Sequence, residues 1–130
     1  MRLIRVQVVL CAVLMLSVAC RSGQPLKVET VQVGRTLNSD KSVGTITTRF
    51  KPTDTMYVAV LTSRGSGTIE ARWSVSGRVI NEAKKDVSTI EPAATAFRFQ
   101  TADGFRVGDY TVEIFVDGKS VGTRNLRVEN

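Results

Sequence analysis

The fold is decided by residues 108–128, GDYTVEIFVDGKSVGTRNLRV. Apolar and polar side chains alternate over the first half of this stretch, which is the period of a strand with one buried face. Asp117 and Gly118 follow as a dipeptide that tolerates positive φ and predicts a type I′ turn. The apolar positions change parity on the returning strand, so we expect a bulge near Gly122. The stretch therefore predicts a β-hairpin, which we place at the edge of a β-sandwich.

Further strands are predicted upstream of this hairpin. The clearest alternation, in residues 69–76, places Trp73 on an apolar face and therefore in the core. Residues 56–61 are apolar on both faces and predict a central strand, whose second face is either covered by a loop or tether or offered to a partner. Residues 28–33 and 95–100 also have strand patterns, whereas residues 43–50 alternate only loosely.

The middle of the chain predicts turns and a sheet edge. Gly65 and Gly67 lie in a predicted hairpin turn at residues 63–67. Residues 79–80 and 87–90 have short strand patterns on either side of a polar run that includes Lys84 and Lys85, and such lysines protect an edge against unwanted pairing. The whole chain gives seven or eight short strands at the spacing of a sandwich and predicts an all-β fold.

The N-terminus has the pattern of a secretory signal. Arg2 and Arg5 precede an apolar run at residues 6–18, and a small residue, Ala19, comes before Cys20. The run is shorter than the roughly 20 apolar residues that span a membrane, although an uncleaved anchor remains an alternative. We assign residues 1–19 to the signal, 20–27 to a modified cysteine with its tether, and 28–130 to the folded domain.

The end of the signal resembles the lipobox of bacterial lipoproteins, with Leu16, Ser17, Val18, Ala19 and Cys20. Such a box usually carries leucine three residues before the cysteine, where this chain has Ser17, so ordinary cleavage after Ala19 is the alternative. The resemblance implies that Cys20 becomes the acylated N-terminus. Several acyl chains on one cysteine anchor a domain firmly in a membrane.

Cysteine content and charge limit the possible partners. The two cysteines are Cys11, inside the signal, and Cys20, so no thiol remains from Arg21 onward for a disulfide or a zinc site. Removing Arg2 and Arg5 from the 18 basic residues leaves 16 against 12 acidic ones, a net charge near +4. The basic residues are scattered, which is typical of a solvated surface, and we expect no nucleic acid as a partner.

Trp73, together with Gly108, Asp109, Tyr110 and Val112, resembles an immunoglobulin-like domain in which aliphatic residues replace the core cysteine pair. This resemblance implies an antiparallel sandwich in which Tyr110 forms the tyrosine corner. Residues 43–128 also look like a group of small bacterial envelope proteins, many with lipoprotein signals and no assigned activity. The resemblance rests on Phe50, Lys51, Pro52, Thr53, Asp54, Tyr57, Ala71, Arg72, Trp73, Phe97, Asp103, Gly104, Phe105, Gly108, Tyr110, Asp117, Gly118 and Val121. Similar chains often carry Trp and Pro where this one has Phe105 and Arg106, and the resemblance transfers no functional residue.

The sequence argues against an enzyme. It contains no histidine, which removes histidine-based triads and histidine zinc sites. Asp54, Asp103, Asp109 and Asp117 lie at predicted turns, where carboxylates cap nearby backbone donors. We therefore predict no catalytic residues, no metal site and no cofactor.

Two functions remain after these exclusions. The first is a lipid-anchored binding or adaptor module of the cell envelope, facing the periplasm or the cell surface, with another envelope protein or polymer as its partner. The second is a structural lipoprotein within a larger assembly; a carbohydrate-binding module or a hydrolase is less favoured. A binding module requires an exposed apolar patch, for which Phe105 and Phe115 are the candidate contacts, although ordinary packing would also explain both.

Overall fold

The computed structural model describes residues 24–130, and they form eight strands. The prediction of an all-β fold with seven or eight strands is confirmed. The predicted signal at residues 1–19 and the predicted lipidation site Cys20 lie outside the described residues. Within residues 24–130 there is no helix long and apolar enough to cross a membrane. The strands are β1 (Val28–Gly34), β2 (Arg49–Phe50), β3 (Met56–Thr62), β4 (Gly65–Val75), β5 (Arg78–Thr89), β6 (Ala93–Phe99), β7 (Gly108–Val116) and β8 (Lys119–Val128).

The strands form two sheets that pack face to face. One sheet has the order β1-β3-β6 and the other the order β2-β8-β7-β4-β5. All neighbouring strands are antiparallel except β2 and β8, which pair in parallel over two residues. The core between the sheets is apolar, and its largest fully buried side chains are Trp73, Phe50 and Met56. Trp73 is 0% exposed, as its alternation pattern predicted.

The hairpin β7–β8 forms with the predicted turn and bulge. Asp117 and Gly118 have φ of 50° and 85°. Ile114 pairs with Gly122 and Phe115 with Ser120, so Val121 is the extra residue of a bulge. The predicted edge position is wrong for β7, which lies in the middle of its sheet. The one-sided alternation did not distinguish these positions, because a central antiparallel strand also has one face toward solvent.

The prediction of two short strands at residues 79–80 and 87–90 is wrong, because a single continuous strand, β5, covers Arg78–Thr89. Its polar centre is nevertheless a sheet edge, as predicted. Lys85 pairs with the core residue Ile69, so its side chain starts on the inner face, and its Nζ donates a hydrogen bond to the Ala96 carbonyl of β6. An inward-pointing lysine at an open edge opposes pairing with another chain.

The turn predicted at residues 63–67 is wrong, because its last three residues form the start of β4. Gly65 and Gly67 belong to the strand itself, and β3 and β4 lie in different sheets, so no hairpin joins them. Gly65 has a φ of +143°, and a Cβ at this position would lie 2.5 Å from the Gln24 carbonyl oxygen. The glycine is therefore required by a close approach of backbone, which periodicity alone does not reveal.

The predicted tether, residues 20–27, extended too far into the domain. Leu26 is 7% exposed and belongs to the core, and Pro25 forms a bridge to Ser66. The Ser66 N–H donates to the Gln24 carbonyl at 2.8 Å. Residues from Gln24 onward are therefore attached to the sandwich.

A loop covers the second face of β3, one of the two alternatives that the sequence left open. Ala59 on this face is 0% exposed. The Val43 N–H donates to Gln32 Oε1 at 3.0 Å, which holds the loop at residues 35–48 against the sheet, and Leu37 lies beside Tyr57. Of the loosely alternating residues 43–50, only the last two form a strand, β2.

Candidate functional site

One end of the sandwich carries a cleft of about 670 Å³. This cleft end contains the β4–β5 turn and the start of β7, whereas the opposite, tether end contains Gln24, Gly65 and Thr89. Strand β4 runs from Gly65 to Val75 between the two ends, a distance of about 33 Å for an extended strand. The cleft lies within the range of about 300–1,000 Å³ that is typical of small-molecule sites.

Strand β5 supplies one wall of the cleft through an irregular start. Ser76 and Gly77 form the preceding turn with φ of 52° and 78°. Trp73 pairs with Asn81 and Ser74 with Val79, so Ile80 is an extra residue in β5. A bulge redirects side chains, and Ile80 lines the cleft with 41% of its surface exposed.

The loop at residues 100–107 supplies the opposite wall and is held at several points. The Phe105 N–H donates to the Pro52 carbonyl at 2.8 Å, and the Gly104 N–H donates to the Thr101 carbonyl at 3.2 Å. Tyr110 Oη donates to the Arg106 carbonyl at 2.7 Å, which confirms the predicted tyrosine corner. Such bonds hold the loop in one conformation before any ligand binds.

A series of aromatic rings connects the core to the cleft. The ring centroids of Trp73 and Phe99 lie 5.3 Å apart, those of Phe99 and Phe105 5.2 Å, and those of Phe105 and Tyr110 5.8 Å. The last two pairs have the edge-to-face geometry that aromatic rings prefer. Phe99, Phe105 and Tyr110 all line the cleft, so one wall is rigid and aromatic.

The charge of the cleft is positive. Arg78 and Arg106 line it, and no aspartate or glutamate does. The nearby carboxylate of Asp109 accepts a 2.8 Å hydrogen bond from Arg127, and this bond raises the pKa of the Arg127 guanidinium. Asp109 therefore pairs with Arg127, and among the described residues it forms no ion pair with Arg78 or Arg106.

The two predicted contact residues have different surroundings, and the structure does not bring them together. Phe105 is only 4% exposed, so its prediction as an exposed contact is wrong, and it takes part in the site as a buried wall residue. Phe115 lies on the outer face of the five-stranded sheet, half-buried, with the Arg72 guanidinium 4.2 Å from its ring centroid. The cation–π contact accounts for Phe115 as packing.

The turn carboxylates serve as structural groups. Asp54 Oδ2 accepts a 2.7 Å hydrogen bond from the Lys51 N–H, and Asp117 Oδ1 accepts a 2.9 Å bond from the Thr68 N–H. Asp54 and Asp117 therefore cap backbone donors as predicted, whereas Asp109 lies in β7 and binds Arg127 instead, and the Asp103 carboxylate accepts no hydrogen bond from the described residues. The part of the chain from residue 24 onward contains no cluster of three or more aspartate, glutamate, cysteine or histidine side chains arranged to hold a metal ion.

Sequence reasoning missed Arg78, Ile80 and Arg106 as site residues. Each is an ordinary surface residue in the linear pattern, and only the antiparallel pairing of β4 with β5 and β7 brings them to the same end of the sandwich. An arginine immediately after Phe105 was a usable signal, since it places a cation beside an aromatic side chain.

Comparison with known proteins identifies the fold. An immunoglobulin-like protein of Pseudomonas aeruginosa superimposes with a TM-score of 0.55 and 10% sequence identity, over 82% of this chain and 98% of that one. The fold is immunoglobulin-like. A β-glucosidase of Listeria innocua, solved with glucose, superimposes with a TM-score of 0.53 and 10% identity over 83% of this chain. The match spans 16% of that enzyme's length. No protein-family model and no curated protein sequence matches the chain.

Proposed function

We propose that this immunoglobulin-like domain is a lipid-anchored, non-catalytic binding or adaptor module of the bacterial cell envelope, and that it binds its ligand in the cleft. The anchor would be acyl chains on Cys20, and the cleft would face the periplasm or the cell surface. The observation that carries the proposal is the cleft itself, with its aromatic wall and exposed apolar rim. Ile80 and Val107 at this rim are 41% and 49% exposed.

The position of the cleft supports a role in binding. Gln24 is held against the tether end through its hydrogen bond with Ser66, and Arg21, Ser22 and Gly23 separate it from Cys20 in the sequence. An anchor on Cys20 would therefore hold the tether end close to the membrane. The cleft would then lie at the far end of the domain, accessible to soluble or surface-bound ligands.

Several observations favour binding over catalysis or sugar recognition. The sequence has no histidine, and the turn carboxylates of Asp54 and Asp117 are engaged with backbone donors. The β-glucosidase matches this chain over only 16% of its own length and at 10% identity. No catalytic residue of that enzyme can therefore be assigned to this chain. Trp73 is buried, so the chain's single tryptophan offers no exposed platform for stacking on a sugar ring.

The alternative is a structural envelope lipoprotein, for which the cleft would be empty in the cell. A photo-crosslinking residue, p-benzoylphenylalanine, placed at Val107 in intact cells separates the two functions. Val121, in the β8 bulge near the middle of its sheet and outside the cleft lining, is the matched control because it is also valine and has 43% exposure against 49% for Val107. A binding module should give an adduct, visible by mass spectrometry or as a gel shift, at Val107 and not at Val121. Equal adducts, or none at either position, would favour the structural role.

The anchor is tested separately. Mass spectrometry of the mature protein should find an N-terminal cysteine carrying fatty acids, and Cys20→Ala should release the domain from membrane fractions. A mature chain that begins at an unmodified Cys20 would remove the anchor and leave the cleft as a site in a free protein.

A further inference from the structure

We infer that the ligand of the cleft is a small amphipathic anion, a molecule that joins a carboxylate, phosphate or sulfonate group to an aromatic or aliphatic body. This inference rests on the proposed function, because it takes the cleft as the ligand site and specifies the chemistry of the molecule that fits it.

The anionic part of the ligand follows from the two arginines. Arg78 and Arg106 come from opposite walls, β5 and the loop before β7, and both side chains line the cleft. Neither forms an ion pair or a side-chain hydrogen bond with any residue in the part of the chain that the structure describes. Guanidinium groups recognise carboxylates and phosphates through paired N–H donors, so two unengaged arginines favour an anion.

The apolar part follows from the remainder of the wall. Half-buried Phe99 and the exposed side chains of Ile80 and Val107 form the apolar surface of the cleft, and buried Phe105 and Tyr110 support it from behind. A fully polar anion would leave this surface in contact with water, whereas an aromatic or aliphatic body would cover it.

The size and position of the cleft favour a small molecule over a membrane lipid. Its volume of about 670 Å³ suits a compact molecule, and it lies at the opposite end of the sandwich from Gln24. A lipid that remained in the bilayer at the tether end would have to extend along the whole length of β4 to enter the cleft. The expected ligand is therefore a soluble molecule.

Two probes that differ in charge test this inference. The carboxylate 4-phenylbutyrate and its amide, 4-phenylbutyramide, share one aromatic body and are titrated separately into the full-length protein in phosphatidylcholine vesicles. Trp73 reports binding, because it is the single tryptophan and its ring packs at a tilt against the ring of the cleft residue Phe99, with centroids 5.3 Å apart. We expect the carboxylate to bind roughly tenfold more tightly than the amide at low salt, and high salt to remove the difference.

Substitution of the two cleft arginines tests whether they cause the preference for the carboxylate over the amide. Arg78→Gln and Arg106→Gln should each weaken carboxylate binding several-fold and leave amide binding unchanged. Arg64→Gln, at the tether end, is the matched control and should change neither affinity. Because Arg78 and Arg106 are exposed, these substitutions should leave the folded core intact.

Each outcome has a distinct meaning. Equal affinities for the two probes, both saturable, would overturn the anion inference and leave the cleft as a ligand site. No saturable change in Trp73 emission with either probe would overturn both the inference and the proposed site. An Arg78- and Arg106-dependent response to vesicles containing phosphatidylglycerol, without a response to the carboxylate, would assign the anion to a lipid headgroup and overturn the soluble ligand.

Discussion

Tyr110 Oη donates a 2.7 Å hydrogen bond to the carbonyl oxygen of Arg106, four residues earlier in the chain. The bond joins the start of strand β7 to the loop that forms one wall of the cleft. Tyr110 also packs edge-to-face against Phe105, so the same side chain supports the loop through its ring and through its hydroxyl. The tyrosine corner therefore has a role in the site as well as in the fold.

Removing this hydroxyl should loosen the loop without emptying the core. Tyr110→Phe should lower the free energy of unfolding by about 1 kcal/mol, because one hydrogen bond is lost while the ring remains. Chemical denaturation measures the change. Tyr57→Phe is the control, since no described residue accepts or donates a hydrogen bond at the Tyr57 hydroxyl, and it should cost much less. Equal denaturation midpoints for Tyr110→Phe and the wild type would contradict the corner.

Trp73 should dominate the stability of the core. Trp73→Ala should destabilise the domain by about 3–5 kcal/mol, because the side chain is fully buried and its removal leaves a cavity. The emission of Trp73 in the folded wild-type protein should be blue-shifted and resistant to iodide. Red-shifted emission that iodide quenches freely would contradict its burial.

The elements that were predicted correctly are those whose sequence signal comes from residues close together in the chain. The hairpin turn at Asp117 and Gly118 depends on the φ preferences of two adjacent residues, and the burial of Trp73 depends on its neighbours at a period of two. Both predictions are correct for this reason. The position of β7 within its sheet is not a local property, and it was predicted wrongly.

The cleft could not be predicted because strand pairing brings together residues that are distant in the sequence. Ile80 reaches it through a bulge that depends on the register of β5 against β4, and Arg78 and Arg106 are 28 positions apart in the sequence. Gly65 was predicted to be a turn residue, but glycine is required there because the backbone of Gln24, 41 positions earlier, lies too close for a side chain. Contacts between distant residues leave no periodic signal.

The attachment of Gln24 to β4 can be tested at Gly65. Gly65→Ala should be destabilising because its φ of +143° is unfavourable for alanine and its Cβ would lie 2.5 Å from the Gln24 carbonyl oxygen. Gly77→Ala is the matched control, with a φ of +78° and no atom within 4 Å of the new Cβ, so it carries backbone strain alone. We expect about 1–2 kcal/mol for the control and a larger loss for Gly65→Ala by thermal or chemical denaturation. Similar costs would mean that Gln24 moves away without loss.

The tether end should face the membrane if Cys20 is acylated. Four residue steps separate Cys20 from Gln24, so their Cα atoms lie at most about 14 Å apart in any conformation. Ile90 lies beside Gln24 at this end and is 91% exposed, which places an apolar side chain where the bilayer surface would be. An exposed apolar side chain next to a lipid anchor adds membrane affinity by leaving water.

This orientation is measured with a fluorophore on a single cysteine. Cys11 would be removed with the signal and the Cys20 thiol would be blocked by acylation, so Ile90→Cys in the anchored protein offers one site for the dye NBD. We expect NBD at residue 90 to be blue-shifted on vesicles and quenched by lipids that carry a doxyl group. Val107→Cys, at the cleft end, is the control and should remain solvent-exposed and unquenched. Equal quenching at both positions on protein that does sediment with vesicles would contradict the orientation, whereas protein that stays in the supernatant would contradict the anchor itself.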